Sequence, residues 1–143
     1  MLRAKDQSDK ILKRITIIIF IIYFVLGLFI FDDYGVAVDE TFERQSGLVY
    51  LKFIIQDLFN KPLPSELLTI PDLQNYEDKD YGVVLQFPVV LFEYFTDFKY
   101  DVSSILKLRH LWTFLNFYIS VIFFNLLLYQ RFRNRLISLL GTL

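Results

Sequence analysis

Residues 15–31 read ITIIIFIIYFVLGLFIF, seventeen positions without a charge. As a helix this run lies at the lower edge of what crosses the ~30 Å hydrocarbon layer of a bilayer. Before it stand Arg3, Lys5, Lys10, Lys13 and Arg14. Lys and Arg are retained on the cytoplasmic side, so the run is expected to be a transmembrane helix with the N-terminus inside. A cleaved signal peptide has the same basic start and apolar core. The run is longer than most signal cores and no A-x-A-like site follows it, Val36-Ala37-Val38 being a poor substitute, so the signal-anchor reading is preferred.

Composition agrees with a membrane class. The 143 residues are 55% hydrophobic and 18% aromatic, with mean hydropathy +0.42, above ordinary globular usage. A formal net charge of −1 argues against a nucleic-acid binder. That average conceals a division along the chain: the middle, residues 32–109, is acidic, and both flanks are basic. There is no cysteine and one histidine, His110, which excludes disulfides, thiol nucleophiles and a Cys- or His-built metal centre.

Immediately after the first run comes DDYGVAVDETFERQSG, residues 32–47, with five carboxylates. From near Asp39 the positions Phe42, Leu48, Val49, Leu51, Phe53 and Ile55 fit a helix with one apolar face, expected along the membrane surface. Residues 60–82 hold Pro62, Pro64, Pro71, the acidic run Glu77 to Asp80 and Gly82, and read as irregular loop. Val83 to Thr96 is apolar but short, and Gln86, Pro88 and Glu93 lie inside it. A Glu near the centre of a spanning helix costs about 2.5 kcal/mol or more, so this segment is expected in the interface.

Leu111 to Tyr129 is uncharged over nineteen residues and is the clearest span, expected to run from outside to inside. Thr113, Asn116 and Ser120 form a polar stripe of the kind that hydrogen-bonds a neighbouring helix, with Asn125 pointing elsewhere. Residues 130–135 are a cytoplasmic basic turn, and Leu136 to Leu143 read as the start of a third transmembrane helix. The fold class that emerges is an all-α membrane protein. It has spans at 15–31 and 111–129, and an outer loop, 32–110, carrying amphipathic interfacial helices.

Two readings of the acidic stretch remain open on spacing alone. Asp39 can cap the amphipathic helix, Glu40 can favour the positive end of its dipole, and Glu40 and Arg44 can pair at i, i+4. Alternatively, a carboxylate held at a helix start beside a membrane can serve as a general base. Neighbouring acids can also hold a divalent cation through oxygen ligands, but no metal or other cofactor is assigned.

The order of features resembles the beginning of a known family. A basic start, one span, an acidic outer loop opening with Asp39-Glu40, the stretch Tyr81-Gly82-Val83-Val84-Leu85-Gln86-Phe87-Pro88, then Leu108-Arg109-His110-Leu111 leading into the next span, is similar to the polytopic protein mannosyltransferases and bacterial lipid A aminoarabinose transferases. Many members carry His-Pro-Pro or Lys-Pro-Pro where Asp80-Tyr81-Gly82 stands here. The resemblance runs from about Lys13 to Leu143 and implies an N-terminal piece of a longer enzyme, whose missing C-terminal helices complete the donor site. It further implies a multi-pass protein of a bacterial inner membrane. Such an enzyme transfers sugar, with inversion, from a polyprenyl-phosphate donor on the outer face. The Asp-Glu pair would supply the catalytic residues, Asp39 as base supported by Glu40, with Arg44 and Arg109 binding substrate. The piece by itself is expected to be inactive. The competing expectation is a small non-enzymatic membrane protein whose acidic outer loop binds a partner.

Overall fold

The computed structural model describes residues 2–35 and 37–143, with side chains from Gln7 onward except at 36 and 38. Among them every regular element is helical. In order these are α1 (Leu2–Ile30), α2 (Val38–Phe53), a π turn (Ile54–Leu58), α3 (Ser65–Leu68), a 3-10 turn (Leu73–Asn75), α4 (Phe87–Phe95), α5 (Val102–Phe132) and α6 (Arg135–Thr142). Two helical segments, Gln7–Ile30 and Val102–Phe132, are long and apolar enough to cross a membrane. Both helices outrun the apolar stretches that announced them. Lys, Arg and Asp are tolerated in helices, so hydropathy marks where lipid suits a helix and not where the helix ends.

The chain divides into two compact units, Met1–Asp33 with Thr113–Leu143, and Tyr34–Trp112. In the first, aromatic rings fill the seam between α1 and α5. Phe24 lies 4.9 Å from Tyr118 and 6.1 Å from Phe114, centroid to centroid, and the Tyr118 hydroxyl donates to the Phe20 carbonyl at 3.1 Å. Gly27 permits this approach, since a Cβ there would fall 2.0 Å from the Phe114 ring. Facing away from the seam, Ile18, Ile21, Ile22, Phe123 and Leu127 are exposed, apolar surface of the kind that meets a membrane or another protein.

α6 is tied into the same unit by polar groups. Asn134 caps it, its Oδ1 accepting from the amides of Leu136 and Ile137. Asn125 Nδ2 donates to the Ser138 carbonyl and to Thr142 Oγ1, both at 3.1 Å, while Ser138 Oγ donates back to the Asn125 carbonyl at 2.7 Å. Asn125, outside the Thr113, Asn116, Ser120 stripe, thus bonds α5 to α6. Ser120 instead donates to the Asn116 carbonyl of its own helix at 2.8 Å, the local bond that satisfies a hydroxyl without a neighbour. Arg135 pairs with Asp9 at 2.9 Å.

The second unit has its own core: Leu48, Leu51, Ile55, Leu67 and Val90, flanked by Leu63, Ile70, Phe87, Leu91, Tyr94 and Phe98. Of the apolar face foreseen on α2, Leu48, Val49, Leu51 and Ile55 are buried, Phe42 is half-buried and Phe53 is exposed. A Cβ on Gly47 would lie 2.6 Å from Val90 Cγ2, so glycine sets how closely α2 and α4 approach. Pro88 sits in the first turn of α4, where its missing N–H has no intrahelical partner to lose, so it begins this helix and does not break it. α4 closes with Phe98 N–H on the Glu93 carbonyl (2.9 Å) and Asp97 N–H on Tyr94 (3.1 Å), the two bonds of a Schellman ending. Asp97 and Phe98 take φ of 52° and 53° to make it. The stretch 60–82 is mostly irregular, as expected, but contains α3 and the 3-10 turn. α5 begins at Val102, nine residues ahead of the expected span. Ser104 Oγ donates to Asp101 Oδ1 at 2.6 Å, and that bond, ahead of smaller backbone contributions, holds the Asp101 carboxyl below its ordinary range.

Candidate functional site

The site lies within Tyr34–Trp112 and is organised by the first two turns of α2. The helix starts after Ala37, which has extended backbone and no side-chain cap bond. Asp39 is thus not the cap expected from its position; it is the second residue of the helix, beside Glu40 in the first turn. Both carboxylates sit where free N–H groups and the helix dipole favour negative charge.

Successive acids of α2 then part company. Glu40 Oε1 meets His110 Nε2 at 2.8 Å, both side chains largely buried, with the Tyr34 ring edge-on to the imidazole at 6.0 Å. Glu43 Oε2 accepts from Arg109 Nη2 at 2.7 Å and from Gln86 Nε2 at 2.6 Å. The Arg109 side chain is only 3% exposed. Arg44 reaches neither Glu40 nor solvent alone. Its Nε donates to both Glu93 oxygens at 3.0 Å and its Nη2 to Oε2. The i, i+4 pair with Glu40 is replaced by this one, because Glu93 is 2% exposed and a buried carboxylate needs a cation. Glu40, Glu43 and Arg44 share one face of α2 and tie it to α4 and to the start of α5.

Asp39 stands apart from this network. It is exposed, and its side chain has no hydrogen-bond or ion-pair partner among the described residues. Together with Phe42, Glu43 and Ser46 of α2 it lines a cleft of about 620 Å³, whose other wall is the segment Tyr81 to Gln86. That wall is fixed at three points: the Phe42 and Tyr81 rings meet edge-on at 5.8 Å, Gln86 bonds Glu43, and Trp112 Nε1 donates to the Leu85 carbonyl at 2.7 Å. Ser46 is held by Tyr76, oxygen to oxygen at 2.8 Å.

Of the residues singled out in the sequence, Asp39 lines the cleft, whereas Glu40, Arg44 and Arg109 are spent on internal ties. Arg109 Nε and Nη1, His110 Nδ1 and Glu40 Oε2 are buried without a protein partner. These atoms retain unused hydrogen-bonding capacity beside the cleft-lining helix. Glu43, Gln86 and Tyr81 were missed as site residues, although Tyr81 and Gln86 fall in the stretch that carried the resemblance. No group of three His, Asp or Glu side chains able to hold a metal occurs among the described residues. No family model, curated protein or solved structure matches the chain.

Proposed function

We propose that this chain supplies the first outer-face segment of an integral-membrane inverting glycosyltransferase that draws on a polyprenyl-phosphate-linked sugar. The observation that carries the reading is Asp39. It is the acid of α2 left without a partner at the lip of a cleft, while its neighbours fix the helix that presents it. In an inverting transfer the acceptor O–H attacks the anomeric carbon, the C–O bond to phosphate breaks, and polyprenyl phosphate leaves with the bonding pair. The acceptor proton passes to a carboxylate, here Asp39. Membranes carrying the complete gene product should transfer label from a polyprenyl-phosphate sugar to acceptor with inverted anomeric configuration. Retention, or transfer no greater than in membranes lacking the protein, rules the reading out.

The topology that serves this chemistry places Tyr34–Trp112 on the outer face between two spans, with Arg131, Arg133 and Arg135 and the basic N-terminus inside. α4 has nine residues and reaches ~14 Å at 1.5 Å per residue, too short to cross. The chain has no cysteine, so a single Cys replacing the exposed Asn75 reports sidedness directly. Asn75→Cys should react with a membrane-impermeant thiol reagent in intact cells. Labelling only after permeabilisation would invert the assignment.

A further inference from the structure

The cleft beside Asp39 has a second carboxylate whose hydrogen bonding is lopsided. Glu43 Oε2 takes both protein donors, Arg109 and Gln86, and among the described residues no protein group donates to Oε1. Asp39 and Glu43, at i and i+4, lie on one side of α2 and line the same cleft. Across from them is Tyr81, exposed except where its ring meets Phe42. Gln86 and Ser46 add an amide and a hydroxyl to the lining, and none of the lining residues is a cation.

We propose that Glu43 is a substrate-positioning carboxylate that accepts a sugar hydroxyl on Oε1, in a cleft that takes neutral, hydroxyl-rich pyranoses and turns away anionic ones. The proposal rests on the glycosyltransferase reading and adds to it the residue that selects the sugar. A pyranose has a face of C–H bonds and an edge of hydroxyls. The Tyr81 ring offers an apolar plate to the first; Glu43 and Gln86 offer directed polar partners to the second, while the buried Ser46 hydroxyl is held by the Phe42 carbonyl and Tyr76. Because Arg109 and Gln86 hold Oε2, the free oxygen is aimed before any ligand arrives, and little side-chain freedom is left to lose on binding. A uronate would bring a third carboxylate against Asp39 and Glu43 with no lining cation to meet it, a like-charge contact of the kind that discriminates by repulsion.

The single tryptophan is a built-in reporter, since its indole N–H holds the Leu85 carbonyl of the cleft wall. The full chain in detergent micelles is titrated with methyl α-mannopyranoside, methyl α-glucopyranoside and methyl α-glucopyranosiduronate while Trp112 emission is followed. At least one neutral glycoside should give a saturable change, with the uronate at least tenfold weaker. Glu43→Gln should weaken the neutral glycoside about tenfold, the loss expected for a hydrogen bond to a charged acceptor, and shrink the gap to the uronate. Tyr81→Ala, a change at an exposed ring, should weaken all three alike and keep the ratio. A uronate equal to the neutral sugars, or Glu43→Gln with unaltered selectivity, overturns the role of Glu43 and leaves the transferase reading standing. No saturable response to any of the three overturns sugar binding in this cleft, while the transferase reading is decided separately by the transfer assay.

Discussion

Asp39→Asn in the complete gene product is expected to lower sugar transfer by at least about a hundredfold, the smaller end of what a positioned general base contributes, with expression and membrane insertion intact. The substitution removes basicity and little else. Asp39 caps no amide, since the cap position is Ala37, and its side chain anchors no other element. The dipole at the α2 start loses one favourable charge, a matter of ~0.3–1 kcal/mol at an exposed site, and Glu40 remains. Asp33→Asn, outside α2 and the cleft, should leave turnover within a few-fold. If purified Asp39→Asn enzyme turns over near normally, the proton goes elsewhere and Asp39 is a dipole charge only.

The largest expected effect on stability belongs to Arg44 and Glu93. Breaking one partner of a buried pair leaves an uncompensated charge and costs about 3–5 kcal/mol. Arg44→Met should therefore destabilise the Tyr34–Trp112 unit by roughly that amount, discounted somewhat because the Arg44 side chain is 26% exposed. Glu93→Leu alone should do less, because the partly exposed Arg44 can turn its head to water. Joining the two should recover most of the loss, since well-packed apolar replacements of a buried pair are often neutral. Thermal unfolding in detergent of the four proteins of this cycle measures the coupling. Additive effects would mean that the two side chains do not meet.

These ties explain what could and could not be foreseen. Both apolar spans announce themselves in hydropathy, and the buried face of α2 follows from the spacing of Leu48, Leu51 and Ile55. Pro88 and Glu93 were read as obstacles to a membrane span, and both have specific places: Pro88 in a first turn, Glu93 under Arg44. The partner of Glu93 was out of reach, because its pair joins residues 49 positions apart, and the Glu43 and Glu40 pairs join residues 66 and 70 apart. Helical spacing reports neighbours within a turn or two, so it offered Arg44 to Glu40. Asp39 was singled out by chain position and lines the cleft, but its role as a cap was not realised because the helix begins two residues earlier than a cap at Asp39 would require. Glu43 carries no local signal at all; it resembles any acid on a surface helix until Arg109 and Gln86 reach it from elsewhere in the chain.

The π turn after α2 has an effect on what the Tyr34–Trp112 unit shows to its surroundings. In an unbroken α-helix, the side chains three and four places beyond Ile55 would continue the stripe of Leu48, Leu51 and Ile55. Those residues are Leu58 and Phe59. The widened turn, closed by Phe59 N–H on the Ile54 carbonyl at 3.0 Å, takes one residue more per hydrogen bond and throws the helix out of phase. Leu58 and Phe59 consequently point outward, 68% and 62% exposed. One surplus residue in the winding thus converts two interior positions into a greasy corner at the helix exit. Deleting a single residue from Ile54–Leu58 would rewind that corner into the core, so the apolar surface shown there depends on a miscount of one.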